Sequence, residues 1–210
     1  MKNKLLYLFF VSASLCNRLL IPMDIAQTDH LKAYGIVFLD LEKNNKVDWL
    51  LNYRGGSFLM EYSGFLEQEC KIRGIYTEVL TNQMVQQVYS EVDANNMDIV
   101  ILEKAPKIAV YSPPDKQPWD DAVTLALTYA EVAYDIIFDD EIILGKLKDY
   151  DWLHLHHEDF TGQYGKFYRS YRNALWYKQM EADFNATAKK YGYPSVHNLK
   201  KAIAFKIKEY

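Results

Sequence analysis

The chain alternates short apolar runs with stretches of helical period. Arg18-Leu19-Leu20-Ile21-Pro22 predicts a buried strand over residues 18–22. Thr28 stands where a helix cap belongs. The spacing of Leu31, Tyr34, Phe38 and Leu41 predicts a helix over 29–43 with those four on its core face. Asn44-Asn45 ends that helix. Residues 47–53 read as the next strand and Arg54-Gly55-Gly56-Ser57 as a loop. A helix over 65–73 stops at Gly74, a strand follows over 75–80, and a helix over 82–92 comes next.

The pattern then restarts after a joint at Lys104-Ala105-Pro106. Lys107-Ile108-Ala109-Val110-Tyr111-Ser112 is a strongly apolar strand, broken by Pro113-Pro114. Pro118 suits the first turn of a helix whose core face is Val123, Ala126, Leu127 and Ala130. Short strands are expected over 135–138 and 151–156. The remainder reads as helical, with a break at Gly192-Tyr193-Pro194 and a last helix over 198–209. Strands alternating with helices place the chain in the α/β class, with mostly parallel sheets covered by helices on both faces. Two lobes of similar pattern are expected, over 17–104 and 105–210. A parallel unit that ends on a helix ordinarily feeds another strand, so the second sheet is expected to be incomplete at its C-terminal end.

The first residues have a different logic. Lys2 and Lys4 precede the apolar run Leu5-Leu6-Tyr7-Leu8-Phe9-Phe10-Val11, and the small residues Ser12, Ala13 and Ser14 follow. That run is far shorter than the roughly 18–20 apolar residues of a membrane span. It has the layout of a secretory signal peptide over 1–16, so the protein is expected to be exported, to the periplasm or beyond, with no transmembrane helix. Cys16 raises a lipid-anchored alternative, against which Leu15 stands where a small residue belongs. With Cys16 gone, Cys70 is the one cysteine left, and it is expected to pack as a small buried hydrophobe.

Composition adds bounds. Half the residues are hydrophobic and 25% charged, which is globular rather than disordered. The net charge of −4 comes with no basic stripe interleaved with aromatics, which argues against a nucleic-acid partner. Lys200, Lys201, Lys206 and Lys208 read as the solvated face of an amphipathic helix. The 17 tyrosines, each an apolar ring with a polar tip, fit a wet binding surface for a polar small molecule or an envelope partner.

The densest chemistry is His154-Leu155-His156-His157-Glu158-Asp159, which holds three of the five histidines. It follows a predicted strand, where parallel sheets gather their ligands. In an extended chain His154, His156 and Glu158 share a face, and two imidazoles with a carboxylate are a zinc-ligand set with an open position. No cofactor is otherwise expected. A histidine–acid pair also suits proton transfer, and Asp159 suits a helix cap. Gly162 lies just beyond, where backbone is able to approach a ligand closely. The Arg54 loop offers a guanidinium and turn N–H groups to an anion, or is a plain turn. The Asp120-Asp121 pair reads as a helix start, and Asp139-Asp140-Glu141 as a solvated loop. No nucleophile elbow, zinc-protease helix or phosphate loop occurs.

Several blocks together resemble a known family. They are Leu20-Ile21-Pro22-Met23-Asp24, Gln27-Thr28-Asp29-His30-Leu31-Lys32-Ala33-Tyr34-Gly35, Val47 through Phe58, Gln117 through Leu127, and Asp151 through Gly165. They are similar to an exported family of Bacteroidota that carries the label asparagine synthetase B, and the resemblance spans the whole chain. It implies a second lobe like a class I glutamine amidotransferase domain, a flavodoxin-like arrangement. Two synthetase features are missing: Lys2 stands where a glutaminase cysteine would follow Met1, and Gly55-Gly56-Ser57 is not the Ser-Gly-Gly-x-Asp-Ser pyrophosphate loop. The expectation is therefore an exported amidotransferase-like protein that binds a ligand without turning it over. The alternative is the N-terminal part of an amidotransferase or hydrolase whose nucleophile follows residue 210.

Overall fold

The computed structural model describes residues 17–113, 122–155 and 169–210. Expectations that rest on residues 1–16, on Pro114, Pro118 and Asp120-Asp121, and on His156, His157, Glu158, Asp159 and Gly162 lie outside the described residues. The chain divides into two compact units, the first ending at Ala105 and the second beginning at Pro106.

The first unit is built on five strands: β1 (Arg18–Ile21), β2 (Val47–Leu51), β3 (Ser57–Glu61), β4 (Glu78–Leu80) and β5 (Asp98–Leu102). Their order is β4-β1-β3-β2-β5, and every neighbouring pair is antiparallel. This corrects the expected parallel sheet and the expected likeness of the two halves. The physical reason is local. Residues 52–56 turn the chain directly from β2 into β3, which sets Trp49 opposite Phe58 and Leu50 opposite Ser57. A turn that short joins antiparallel strands only, because a parallel pair needs a long crossover.

Helices cover both faces of this sheet. Helices α1 (His30–Glu42) and α2 (Gly64–Arg73) pack on the face carrying Leu19, Ile21, Val47, Phe58 and Met60. Helix α3 (Asn82–Ala94) presents Val85, Val88 and Val92 to Leu20, Leu50, Leu59 and Leu80 on the other face. Strand β1 is thus buried on both sides, and its run Leu19-Leu20-Ile21 has no polar residue to alternate with.

The caps fix where α1 begins. Asp29 is its N-cap, and the carboxylate accepts the Lys32 N–H at 3.0 Å. Thr28, the expected cap, instead donates its hydroxyl to the Gly74 carbonyl at 2.5 Å. The buried stripe is Ala33, Ile36, Val37, Phe38 and Leu41, while Leu31 and Tyr34 are exposed. The expected core face was therefore turned by about one residue. Helix α2 ends at Gly74 in the left-handed conformation, as its sequence requires.

The second unit holds β6 (Ile108–Tyr111), β7 (Asp135–Ile137) and β8 (Trp152–Leu155), in the order β7-β6-β8 and all parallel. Its helices are α4 (Ala122–Ala130), α5 (Asp139–Ile143), α6 (Leu175–Lys190) and α7 (Val196–Glu209). One sheet face carries Ala109, Tyr111, Ile137, Leu153 and Leu155. It packs against Ile142 of α5, Ala188 of α6, and Leu199 and Ile203 of α7. Among the described residues no helix is long and apolar enough to cross a membrane.

Candidate functional site

The parallel order β7-β6-β8 brings the carboxyl ends of the three strands to one edge. The chain leaves β6 for a neighbour on one side, then returns past β6 to add β8 on the other. In parallel sheets ligands gather outside the carboxyl ends of the strands, which here fall at Tyr111, Ile137 and Leu155. Tyr111 and Ser112 reach that edge from β6, and Leu155 from β8, with Tyr111 directly opposite Leu155 in the register. Ser112 is buried, and its N–H donates to the Ile137 carbonyl at 3.0 Å. The histidine–acid run follows β8 in the sequence, and of its titratable residues His154 alone is among the described ones.

His154 belongs to β8, opposite Val110. Leu153 and Leu155 pack on the face covered by α5, α6 and α7. Alternation along the strand then turns His154 to the other face. Among the described residues no three His, Cys, Asp or Glu side chains converge closely enough to hold a metal ion.

A buried polar cluster underlies the same edge, and the sequence pattern did not point to it. The Tyr111 hydroxyl donates to Asp139 Oδ1 at 2.6 Å, and Lys200 Nζ lies 3.0 Å from Oδ1 and 2.9 Å from Oδ2. Asp139 is 2% exposed and the Lys200 side chain 14%. The ammonium also sits 4.1 Å from the Phe184 ring centroid and 4.7 Å from that of Phe138. Asp139-Asp140-Glu141 is therefore the first turn of α5 rather than a solvated loop. Its acids suit the positive end of a helix: Glu141 accepts the Phe138 N–H, and Asp140 meets Lys190. Lys200 likewise leaves the solvated face expected for it. With its carboxylate ion-paired and its ammonium surrounded, the cluster offers no free base or nucleophile. What it does is pin the ends of β6 and β7 to α7.

The Arg54 loop is the other candidate. Asn52, Arg54, Gly55 and Gly56 all have positive φ, at 65, 44, 82 and 90°. Such a run is strained for the non-glycine members, and the surroundings hold it in place. The Met23 N–H donates to the Arg54 carbonyl at 3.1 Å, Ser57 Oγ donates to the carbonyls of Tyr53 and Arg54, and Trp49 Nε1 donates to that of Gly56. The guanidinium is engaged on two sides, with Nε 2.7 Å from Asp24 Oδ2 and Nη1 2.8 Å from Glu78 Oε1. The hydrogen bond from Arg54 holds the Asp24 carboxyl below its usual range. An arginine committed to two carboxylates has little left to offer an anion, so its clear service here is to fix Asp24 and Glu78.

Cys70 is the remaining chemically interesting side chain. It is a free thiol on the core face of α2, fully buried. Burial pushes it up to about 11, far from the depressed values of reactive thiols.

No family model, curated protein or solved structure matches the chain.

Proposed function

We propose that this chain is an exported, amidotransferase-like binding module that holds a polar small molecule at the carboxyl edge of β6 and β8 without turning it over. What supports this reading is the parallel strand order β7-β6-β8, since such sheets bind ligands outside the carboxyl ends of their strands and the histidine–acid run follows β8 in the sequence. Cys70 supplies no nucleophile for amide transfer, because burial keeps its thiol protonated. The resemblance to the family labelled asparagine synthetase B suggests amide-bearing amino acids as the first ligands to try. Export rests on the signal-like residues 1–16.

The test is an amide NMR titration of the purified chain with glutamine and asparagine, run beside an ammonia-release assay. Saturable shifts at Ser112, His154 and Leu155 with no ammonia are expected. Release of ammonia would replace the binding module with an enzyme. Saturable shifts confined to other residues, or none with either ligand, would remove the site. Intact-mass analysis of the protein from envelope and medium is expected to show cleavage between Ser14 and Arg18, and recovery of intact Met1 there would overturn export.

A further inference from the structure

The five-stranded sheet has two edges, and the chain treats them differently. A sheet edge presents unpaired N–H and C=O groups, so folded proteins blunt it by shortness, charge, proline or a bulge. The edge at β4 is blunted: β4 has three residues, and Glu78 at its start is ion-paired with Arg54. The edge at β5 is not. Five consecutive residues of β5 pair with β2 in unbroken register, from Leu51 opposite Asp98 to Val47 opposite Leu102. Among the described residues no strand pairs with the other side of β5.

The side chains of that edge are apolar on both faces. Ile99, Val100 and Ile101 are 39, 40 and 56% exposed. Val100 stands opposite Trp49 and continues the face covered by α1 and α2. Ile99 and Ile101 stand opposite Leu50 and Asp48 and continue the face under α3. β-Branched side chains gain from packing against a cross-strand neighbour, and here they have one on the β2 side only. A further strand beside β5 would pair its outer backbone groups and cover all three side chains.

The charges at the two ends of the strand select its occupant. Asp98 opens β5 and Lys104 follows shortly after its end, and both are exposed. Two copies of this edge meet antiparallel about a two-fold axis normal to the sheet, and each face then continues into the same face of the other copy. Centred on Ile101, the pairing sets Ile101 opposite its own counterpart, Val100 opposite Leu102 of the second copy, and Asp98 opposite its Lys104. Glu103 falls opposite Ile99, but its carboxylate is already drawn aside to Lys46 at 2.9 Å. An apolar centre is thus flanked by an acid–base pair at each end, because the symmetry repeats the pair. Moving the centre to Val100 loses both pairs and sets Asp98 against Leu102. The edge is therefore complementary to itself in a defined register.

We propose that β5 pairs antiparallel with β5 of a second copy of this chain, about an axis at Ile101, joining two five-stranded sheets into one. This contact belongs to the first unit and does not rest on the reading of the β6–β8 edge.

The experiment follows the mass of the full chain by sedimentation velocity across a concentration series, with hydrogen exchange read at both ends of it. A monomer–dimer equilibrium is expected, with a dissociation constant on the order of 10–100 µM for so small a contact. Amides of β5 should gain protection as the dimer forms, and those of β4 should not. Ile101→Lys sets two ammonium groups against each other at the axis and should weaken the dimer at least about tenfold. Asp98→Lys and Lys104→Asp each place like charges opposite one another twice and should each weaken it about fivefold. The double variant restores the pair with its charges exchanged and should return to within about threefold of the unaltered chain. Each variant is first checked for native hydrogen exchange in α1 and α3. Where one fails that check, exchange in the unaltered chain decides in its place. A chain monomeric up to about millimolar concentration, a dimer indifferent to these variants, a double reversal that restores nothing, or protection gained elsewhere but not in β5 would each overturn the proposal.

Discussion

Lys200 Nζ lies 2.9 Å from Asp139 Oδ2, across 61 residues of chain, with the carboxylate almost wholly removed from water. The pair joins the start of α5 to the first half of α7. Tyr111 extends it to the end of β6, so one cluster fastens three elements at the carboxyl end of that strand.

Breaking this pair from one side should cost more than removing it. Asp139→Asn or Lys200→Met leaves a buried charge without its counterpart, a loss of about 3–5 kcal/mol. The double variant Asp139→Leu, Lys200→Met leaves no charge behind and should recover most of that. Hydrogen exchange at Val110 and Leu199, both in the core of the second unit, reads the stability of that unit by itself. A double variant no more stable than the worse single one would show that the cluster is not a coupled pair.

Much of the fold follows from the pattern of apolar residues, and the parts that do not follow have separate causes. The strand–helix alternation marks β1, β2, β4, β6, β7 and β8 to within a few residues. It misses β3 and β5. Ser57-Phe58-Leu59-Met60-Glu61 begins straight out of a turn with no punctuation of its own, whereas Asp98-Ile99-Val100-Ile101-Leu102 is set off by Asn95-Asn96, the same signal that ends α1, and was legible by that rule. Strand direction in the first unit is hidden for a different reason. A sheet sandwiched between helices buries both faces, so β1 reads as a parallel-sheet strand although its partners are antiparallel.

The candidate sites were less legible. Lys200 lies next to Leu199 in a helix that also carries Lys201, Lys206 and Lys208, and composition puts all four in water. Only the fold shows that Lys200 meets an acid 61 residues earlier. A lone acid buried at a helix start, such as Asp139, looks in sequence like its exposed neighbour Asp140. Arg54 was singled out from its loop, but its two carboxylate partners lie at Asp24 and Glu78, beyond any local motif.

Glycines in the left-handed region should differ in what they tolerate. A Cβ on Gly55 would stand 2.3 Å from the Met23 carbonyl oxygen, which is backbone, while one on Gly145 meets nothing within 4 Å. Both have positive φ, so both substitutions carry conformational strain of about 1–2 kcal/mol. Gly55→Ala adds a clash and should cost roughly 3 kcal/mol or more, whereas Gly145→Ala should stay near the strain alone. Urea unfolding followed by Trp49, whose indole donates to Gly56, reports the first case. Hydrogen exchange in β6 reports the second.

Arg54 should govern how the first unit responds to acid. The hydrogen bond from Arg54 depresses the Asp24 carboxyl in the folded state. A depressed acid contributes stability above its unfolded pKa of about 3.9 and loses it as pH falls through the folded value. Arg54→Met should therefore raise the Asp24 titration, seen directly in its side-chain carboxyl NMR signal. Below both values this particular contribution vanishes, so the difference between Arg54→Met and the unaltered chain should narrow as pH falls. A difference that stays constant down to the lowest pH at which both remain folded would show that Arg54 acts by packing rather than through this carboxylate.

Cys70 gives the opposite sign at the alkaline end. Its thiol is held neutral by burial and pushed up to about 11, above the ordinary value of 9.0. Between those values the folded state keeps a proton that the unfolded chain releases, so stability falls as pH rises from 9 toward 11. Below pH 9 the thiol has no pH effect. A Cys70→Ala variant should be less stable at neutral pH, because a buried side chain has been trimmed from the core face of α2. Its stability should nevertheless decline less steeply between pH 9 and 11 than that of the unaltered chain. Alkylation at pH 8 checks the same burial by rate: the native thiol should react far more slowly than the denatured one, because it is neither exposed nor ionised. Rapid labelling of Cys70 in the native chain would show that α2 opens readily from the sheet.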